Sequence, residues 1–200
     1  MILSLLRMLL PWSIYYTLTL SNHPVENSAM IALLIFIILA YNDLKNKYIL
    51  SWLTCIFFML IIFNAAYIHL SYIQYRTGAF FYTILTIISY GSILIKKPFT
   101  LQYSKKYISA ARWKHPIFLK INYILTFAWS LTFSINLLIY CLSPNTSNSV
   151  YLRLTSLFLS ITTMSFAAIF PDWYRNNAAK KSFNSHLNIK KKIKNENYLS

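Results

Sequence analysis

The residues best spaced for chemistry in this sequence are polar ones set at helical intervals inside apolar runs. Asn122, Thr126, Ser130 and Ser134 recur every four residues with Asn136 close behind, and Ser156 and Ser160 repeat the interval in a later run that Thr163 and Ala167 extend. Residues four apart share one face of a helix. Such a stripe suits a polar conduit for a small solute, or the interhelical hydrogen bonds, worth roughly 0.6 kcal/mol each, that join helices in a bilayer. The sequence leaves both readings open.

Catalysis finds less support. The four acids, Glu26, Asp43, Asp172 and Glu196, sit at the ends of apolar runs or in the C-terminal tail, and His23, His69, His115 and His186 lie in connections, at run edges or in the tail. No Ser or Thr has a His or carboxylate partner at matching depth, and no HExxH or carboxylate cluster offers a metal site. No two histidines share a run in which they could ligate haem. Cys55 and Cys141 stand singly without CxxC spacing. Two glycines leave nothing from which to build a Rossmann fingerprint or a P-loop. The expectation is a protein that is not an enzyme, with no catalytic, cofactor-binding or metal site.

The elements that must position these residues are apolar helices. In 200 residues, 57% are hydrophobic and 12% charged, a membrane composition. Runs long enough to span, at about 20 residues each, are Ile2 to Leu20, Asn27 to Asn42, Tyr48 to Ile68, Thr77 to Ile95, Ile121 to Leu142 and Leu154 to Pro171. None alternates as a barrel strand would. The fold expected is all-α, a polytopic transmembrane bundle of six spans, or five if the first run, broken by Arg7 and Pro11, lies at the interface. Arg7 and the lack of an A-x-A-like site in SNHPVENSA favour an uncleaved helix over a signal peptide. The second run is short and should thin the bilayer around it.

The net charge of +15 is sorted along the chain. Lys45 and Lys47 follow the second run, seven bases lie between Lys96 and Lys120, and seven more lie between Arg175 and Lys194. With Arg7, that puts 17 of 19 bases on one side, leaving Arg76 and Arg153 on the other. The positive-inside rule makes the rich side cytoplasmic, the C-terminus included. Tyr41, Tyr48, Trp52, Tyr123, Trp173 and Tyr174 then fall near the inner interface, and Trp12, Tyr15, Tyr16, Tyr67, Tyr72 and Tyr140 near the outer one, as aromatic belts. Two regions result: a transmembrane domain over 1–174 and a basic tail over 175–200.

Between Pro98 and Pro116, Phe99, Tyr103, Tyr107 and Ala111 repeat at i+4 with Lys105, Lys106 and Arg112 off the stripe. This is either an interfacial helix lying on anionic lipid or an ordinary positive-inside loop. In the tail, Lys190, Lys191 and Lys192 form a juxtamembrane cluster suited to the same leaflet. Membrane lipids are the expected contact of these six bases; nucleic acid is not, because no fold presents them to a groove.

The layout resembles the intracellular septation protein A family of bacterial inner-membrane proteins over roughly residues 9 to 174. The likeness rests on Leu9-Leu10-Pro11-Trp12 leading to Tyr15 and Tyr16, a fourth span closed by Lys97-Pro98, and Trp113, Asn122, Trp129, Phe133 and Asn136 entering and crossing the fifth. The family's Gly-Lys-Pro is Lys96-Lys97-Pro98 here. The resemblance implies a non-enzymatic inner-membrane protein concerned with septation and cell-envelope maintenance through contacts with other membrane proteins, with homo-oligomers allowed. The alternative is a small-solute transporter or channel using the fifth-span stripe.

Overall fold

A computed structural model describes residues 2–70, 76–142 and 149–196, with side chains for all of these except 2–9, 20, 149, 150, 153 and 182–196. The described chain is an all-α bundle: α1 (Ile2–Leu20), α2 (Val25–Lys45), α3 (Ile49–Phe63, continued by a π-helical turn over Asn64–Ile68), α4 (Thr77–Leu94), the short α5 (Thr100–Ser104), α6 (Pro116–Leu142) and α7 (Ser149–Glu196). Five helical stretches are long and apolar enough to cross a membrane: Val25–Lys45, Ile49–Ile68, Thr77–Leu94, Pro116–Leu142 and Leu154–Lys181 within α7. The remaining long helix, α1, lies along α2 about as extensively as α3 does. On the other side α4 packs on α6, and α6 on α7.

The helices end without glycine. Asn22, Lys47, His69 and Lys96 take positive φ of 55 to 60° just past α1, α2, the π-turn and α4. At Lys47 and Lys96 the flanking amides close Schellman bonds, Tyr48 N–H to Asp43 O at 3.0 Å and Lys97 N–H to Ser92 O at 2.9 Å. A side chain in this conformation costs about 1–2 kcal/mol that glycine would avoid.

Two aromatic clusters fill the core. In one, Trp12 stacks on Phe58 with ring centroids 4.7 Å apart and meets Phe57, Phe81 and Tyr15. Ala29 and Ala32 of α2 let these large rings approach the helix backbone. In the other, Trp129 and Phe133 of α6 pack with Phe99, Tyr103, Leu50, Leu85 and Met164. Trp12 and Tyr15 are therefore core residues and not part of an outer aromatic belt; Tyr41, Trp52, Tyr67 and Trp173 are exposed, as belt residues would be.

Three further expectations change. The second span is 21 residues long, because Glu26 and Asp43 belong to it, so it reaches about 31 Å and needs no thinned bilayer. The Phe99–Ala111 stripe does not form one interfacial helix: α5 gives way to 3₁₀ turns at Lys105–Tyr107 and Ala110–Arg112, burying Phe99 and Tyr103 but exposing Tyr107 and Ala111. Finally, α7 does not stop at Pro171. It continues to Glu196 as a 48-residue helix, so the basic tail extends the last span.

Candidate functional site

The described polar side chains gather where α5 and its two 3₁₀ turns rest against the start of α6 and the middle of α7. Proline sets the entrance: Pro116 is the first residue of α6, where its missing N–H is no loss. His115 caps the helix, its Nδ1 accepting from Ile117 N–H at 3.2 Å. That bond fixes the neutral ring's proton on Nε2.

Below this entrance, α5 is stapled to α6. Ser104 donates to Asn122 Oδ1 at 2.7 Å, and Asn122 Nδ2 donates to Phe118 O at 2.8 Å. Thr100 donates to Asn122 O at 2.9 Å and shares a hydrogen with Thr126 Oγ1 at 2.8 Å. A hydroxyl has one proton, so with Thr100 committed to the Asn122 carbonyl, Thr126 is the donor between the two threonines. Tyr103, on the same short helix, lies edge-on to Tyr48 with centroids 4.9 Å apart. Burial pushes both phenols above their ordinary range, and each stays protonated at neutral pH.

The proposed fifth-span stripe thus divides into parts with different work. Asn122 and Thr126 hold α5. Ser130 and Ser134 donate back to carbonyls four residues earlier, at 2.8 and 2.9 Å. Towards the far end α6 turns its polar groups to α7: Thr132 and Thr163 hydroxyls lie 2.6 Å apart, and Asn136 Nδ2 donates to Ser160 Oγ at 3.2 Å while Ser160 donates to Ser156 O. Asn122, Thr126, Ser130, Asn136, Ser156 and Ser160 are all buried. The oxygen Asn136 Oδ1 has no hydrogen-bond partner among the described residues.

The proposed lipid-contact bases separate as well. Lys106 pairs with Asp43 in the last turn of α2 at 3.5 Å, the acid nearly buried and the lysine partly exposed. Lys105 lies over the Trp113 ring, 4.9 Å from its centroid, and the Trp113 indole donates to Ile108 O. Arg112 alone of these three has a side chain without a hydrogen bond, ion pair or ring contact among the described residues. The side chains of Lys190, Lys191 and Lys192 lie outside the described set, as do those of Arg7 and Arg153. Of the remaining positions on which the resemblance rests, Lys97 is exposed, Pro98 fully buried, and Trp129 and Phe133 pack in the core with tilted rings, centroids 5.5 Å apart.

Between the 3₁₀ turns, α6 and α7 opens a cavity of about 570 Å³. Its floor is Phe118, Ile121, Leu125 and Ala168; exposed Arg112, His115 and Arg175 stand around it, with Arg175 ion-paired to Asp172. Asn122 and Ser104 also line it. Among the described residues no three His, Cys, Asp or Glu side chains converge as metal ligands. An apolar floor beneath exposed cations has the chemistry to suit an amphiphile or a chain segment.

Sequence reasoning missed the Asp43–Lys106 pair and the cavity, because both join residues far apart in the chain. One signal was available: an isolated acid among 19 bases calls for a partner. Compared with family models, curated proteins and solved structures, the chain matches none.

Proposed function

We propose that this chain is a non-enzymatic, multi-pass protein of a bacterial inner membrane with a cytoplasmic C-terminus. It acts in envelope maintenance or septation through lateral contacts with other integral membrane proteins, the role implied by its resemblance to the septation protein A family. The observation that carries this reading is the division of polar and apolar groups. The stripe residues expected to line a conduit are engaged in bonds inside the bundle, while Leu34, Ile38, Ile87, Phe158 and Ile169 face outward along three helices. Outward apolar faces are what lipid tails and neighbouring helices both accept, and helix association in lipid depends on such packing.

Deleting the gene should alter cell length, septum placement or envelope integrity, and crosslinking in membranes should recover a discrete integral partner. Unchanged cells together with an empty crosslinking lane would refute the proposal. Saturable solute flux through liposomes holding the purified protein, reduced by Asn122→Leu and Ser130→Leu, would replace it with the transporter reading. Reporter fusions after residues 45, 110 and 190 should score as cytoplasmic and those after 23, 74 and 146 as external, with a fusion after residue 2 deciding whether α1 spans.

A further inference from the structure

The cavity at the basic end has dimensions and chemistry of its own. From His115 to Leu125 the helix advances about 15 Å. The headgroup layer is roughly 5–7 Å deep on each side of the hydrocarbon, so a site of that height, entered at the level of the cations, reaches from headgroups well into the acyl region. The wall changes character over this distance in the same order. Arg112, His115 and Arg175 are exposed, Ser104 is half-buried, and Ile121 and Leu125 are fully enclosed.

The two guanidiniums differ in readiness. Arg175 is held by Asp172 and by its own Nε donating to Pro171 O at 3.2 Å, which fixes its position and cancels part of its charge. Arg112 is held by nothing among the described residues, so its five donors remain for an incoming group. His115 Nδ1 is committed to the helix cap, leaving Nε2–H as its donor. With Lys106 paired to Asp43 and Lys105 held over the Trp113 ring, Arg112 is the cation lining the cavity whose side chain has no partner among the described residues.

We propose that this cavity binds one anionic phospholipid from the leaflet at the basic end. The phosphate sits between Arg112 and Arg175 with His115 as a further donor, and the start of one acyl chain covers Ile121, Leu125 and Ala168. Charge and apolar surface succeed each other along the cavity as they do along a lipid, and guanidinium forks match phosphate oxygens. A volume of about 570 Å³ holds the headgroup and the upper part of a chain and leaves the remainder in the bilayer. The inference uses the bilayer placement proposed above but not the protein partners: lost crosslinks would leave it standing, and its failure would leave them standing.

The test is thermal unfolding of the full-length protein in mild detergent with added phosphatidylglycerol, phosphatidylcholine or inorganic phosphate. Phosphatidylglycerol should raise the midpoint saturably, and the other two should not. Arg112→Gln should demand about tenfold more phosphatidylglycerol for the same rise. Ala168→Phe, which fills the floor, should abolish the response. Lys45→Gln/Lys47→Gln, which removes two exposed bases from the same end outside the cavity, should preserve it. Arg112 is exposed, so its variant keeps the test decisive even where Ala168→Phe fails to fold. An equal response to phosphatidylcholine would overturn the charge argument, and one to inorganic phosphate alone would make this a free-anion site. An unaltered response in Arg112→Gln, or loss of it in the Lys45/Lys47 variant, would reduce the effect to general surface attraction.

Discussion

Removing the Ser104 hydroxyl tests how α5 is held against α6. In Ser104→Ala, Asn122 Oδ1 loses the donor that now stands 2.7 Å away, inside a residue that is 1% exposed. A buried oxygen left dry would cost about 1–3 kcal/mol. The neighbouring cavity admits a water, which lowers the loss, and measured couplings between polar pairs in membrane proteins average about 0.6 and reach about 1.7 kcal/mol. The expected cost is therefore about 1 kcal/mol, or roughly 2–4 °C of midpoint for a chain of this length. The informative comparison is the same change made in an Asn122→Leu background. With no amide oxygen left to orphan, Ser104→Ala should there cost close to nothing. A double-mutant cycle by thermal or SDS unfolding in micelles measures the difference. If Ser104→Ala costs the same in both backgrounds, to within about 0.3 kcal/mol, the bond carries no coupling and the stapling argument is wrong.

Three other outcomes follow from particular residues. Trp12→Ala should lose about 3–5 kcal/mol in an unfolding assay, since Trp12 lies in a nest of five rings; a loss below about 1 kcal/mol would return it to the lipid interface. Lys96→Gly should raise stability by about 1 kcal/mol by relieving its left-handed backbone, whereas Gly78→Ala should lower it by about 1–3 kcal/mol because a Cβ there overlaps the Tyr140 ring; equal effects from the two would contradict both assignments. In intact spheroplasts an impermeant maleimide should label exposed Cys141 but not buried Cys55, and labelling of Cys141 only after lysis would invert the proposed orientation.

The helices were legible because each run of apolar residues declares its own length and the proximity of bases marks its ends. Asp43 shows where such reading stops. As a lone acid it looked like a boundary, which shortened the second span; Lys106, 63 residues away, lets it stay inside the last turn of α2. Trp12 and Tyr15 were misplaced for a related reason. Their types fit a belt and a core equally, and only the small Ala29 and Ala32 of the neighbouring helix decide between them. Pro171 reads as a stop in the sequence, yet a helix tolerates proline with the loss of one carbonyl's partner, here that of Ala167. The Asn122 stripe was found by spacing alone, but periodicity says which residues share a face and not which neighbour that face meets. Hence one stripe proved to serve two different contacts, with α5 at one end and with α7 at the other.

Arg76 carries a consequence for the sorting of charge. Its Nη1 donates to the carbonyl oxygens of Tyr140 and Cys141, at 3.3 and 3.0 Å, in the last turn of α6. The exposed carbonyls at a helix C-terminus amount to about half a negative charge, so this cation is the counter-charge of a helix end. An arginine tied in this way costs little to leave on the acid-poor face of the membrane and contributes little to orienting the chain. Of the two bases expected on the far side, the one whose side chain is described is a clasp closing α6 onto the head of α4.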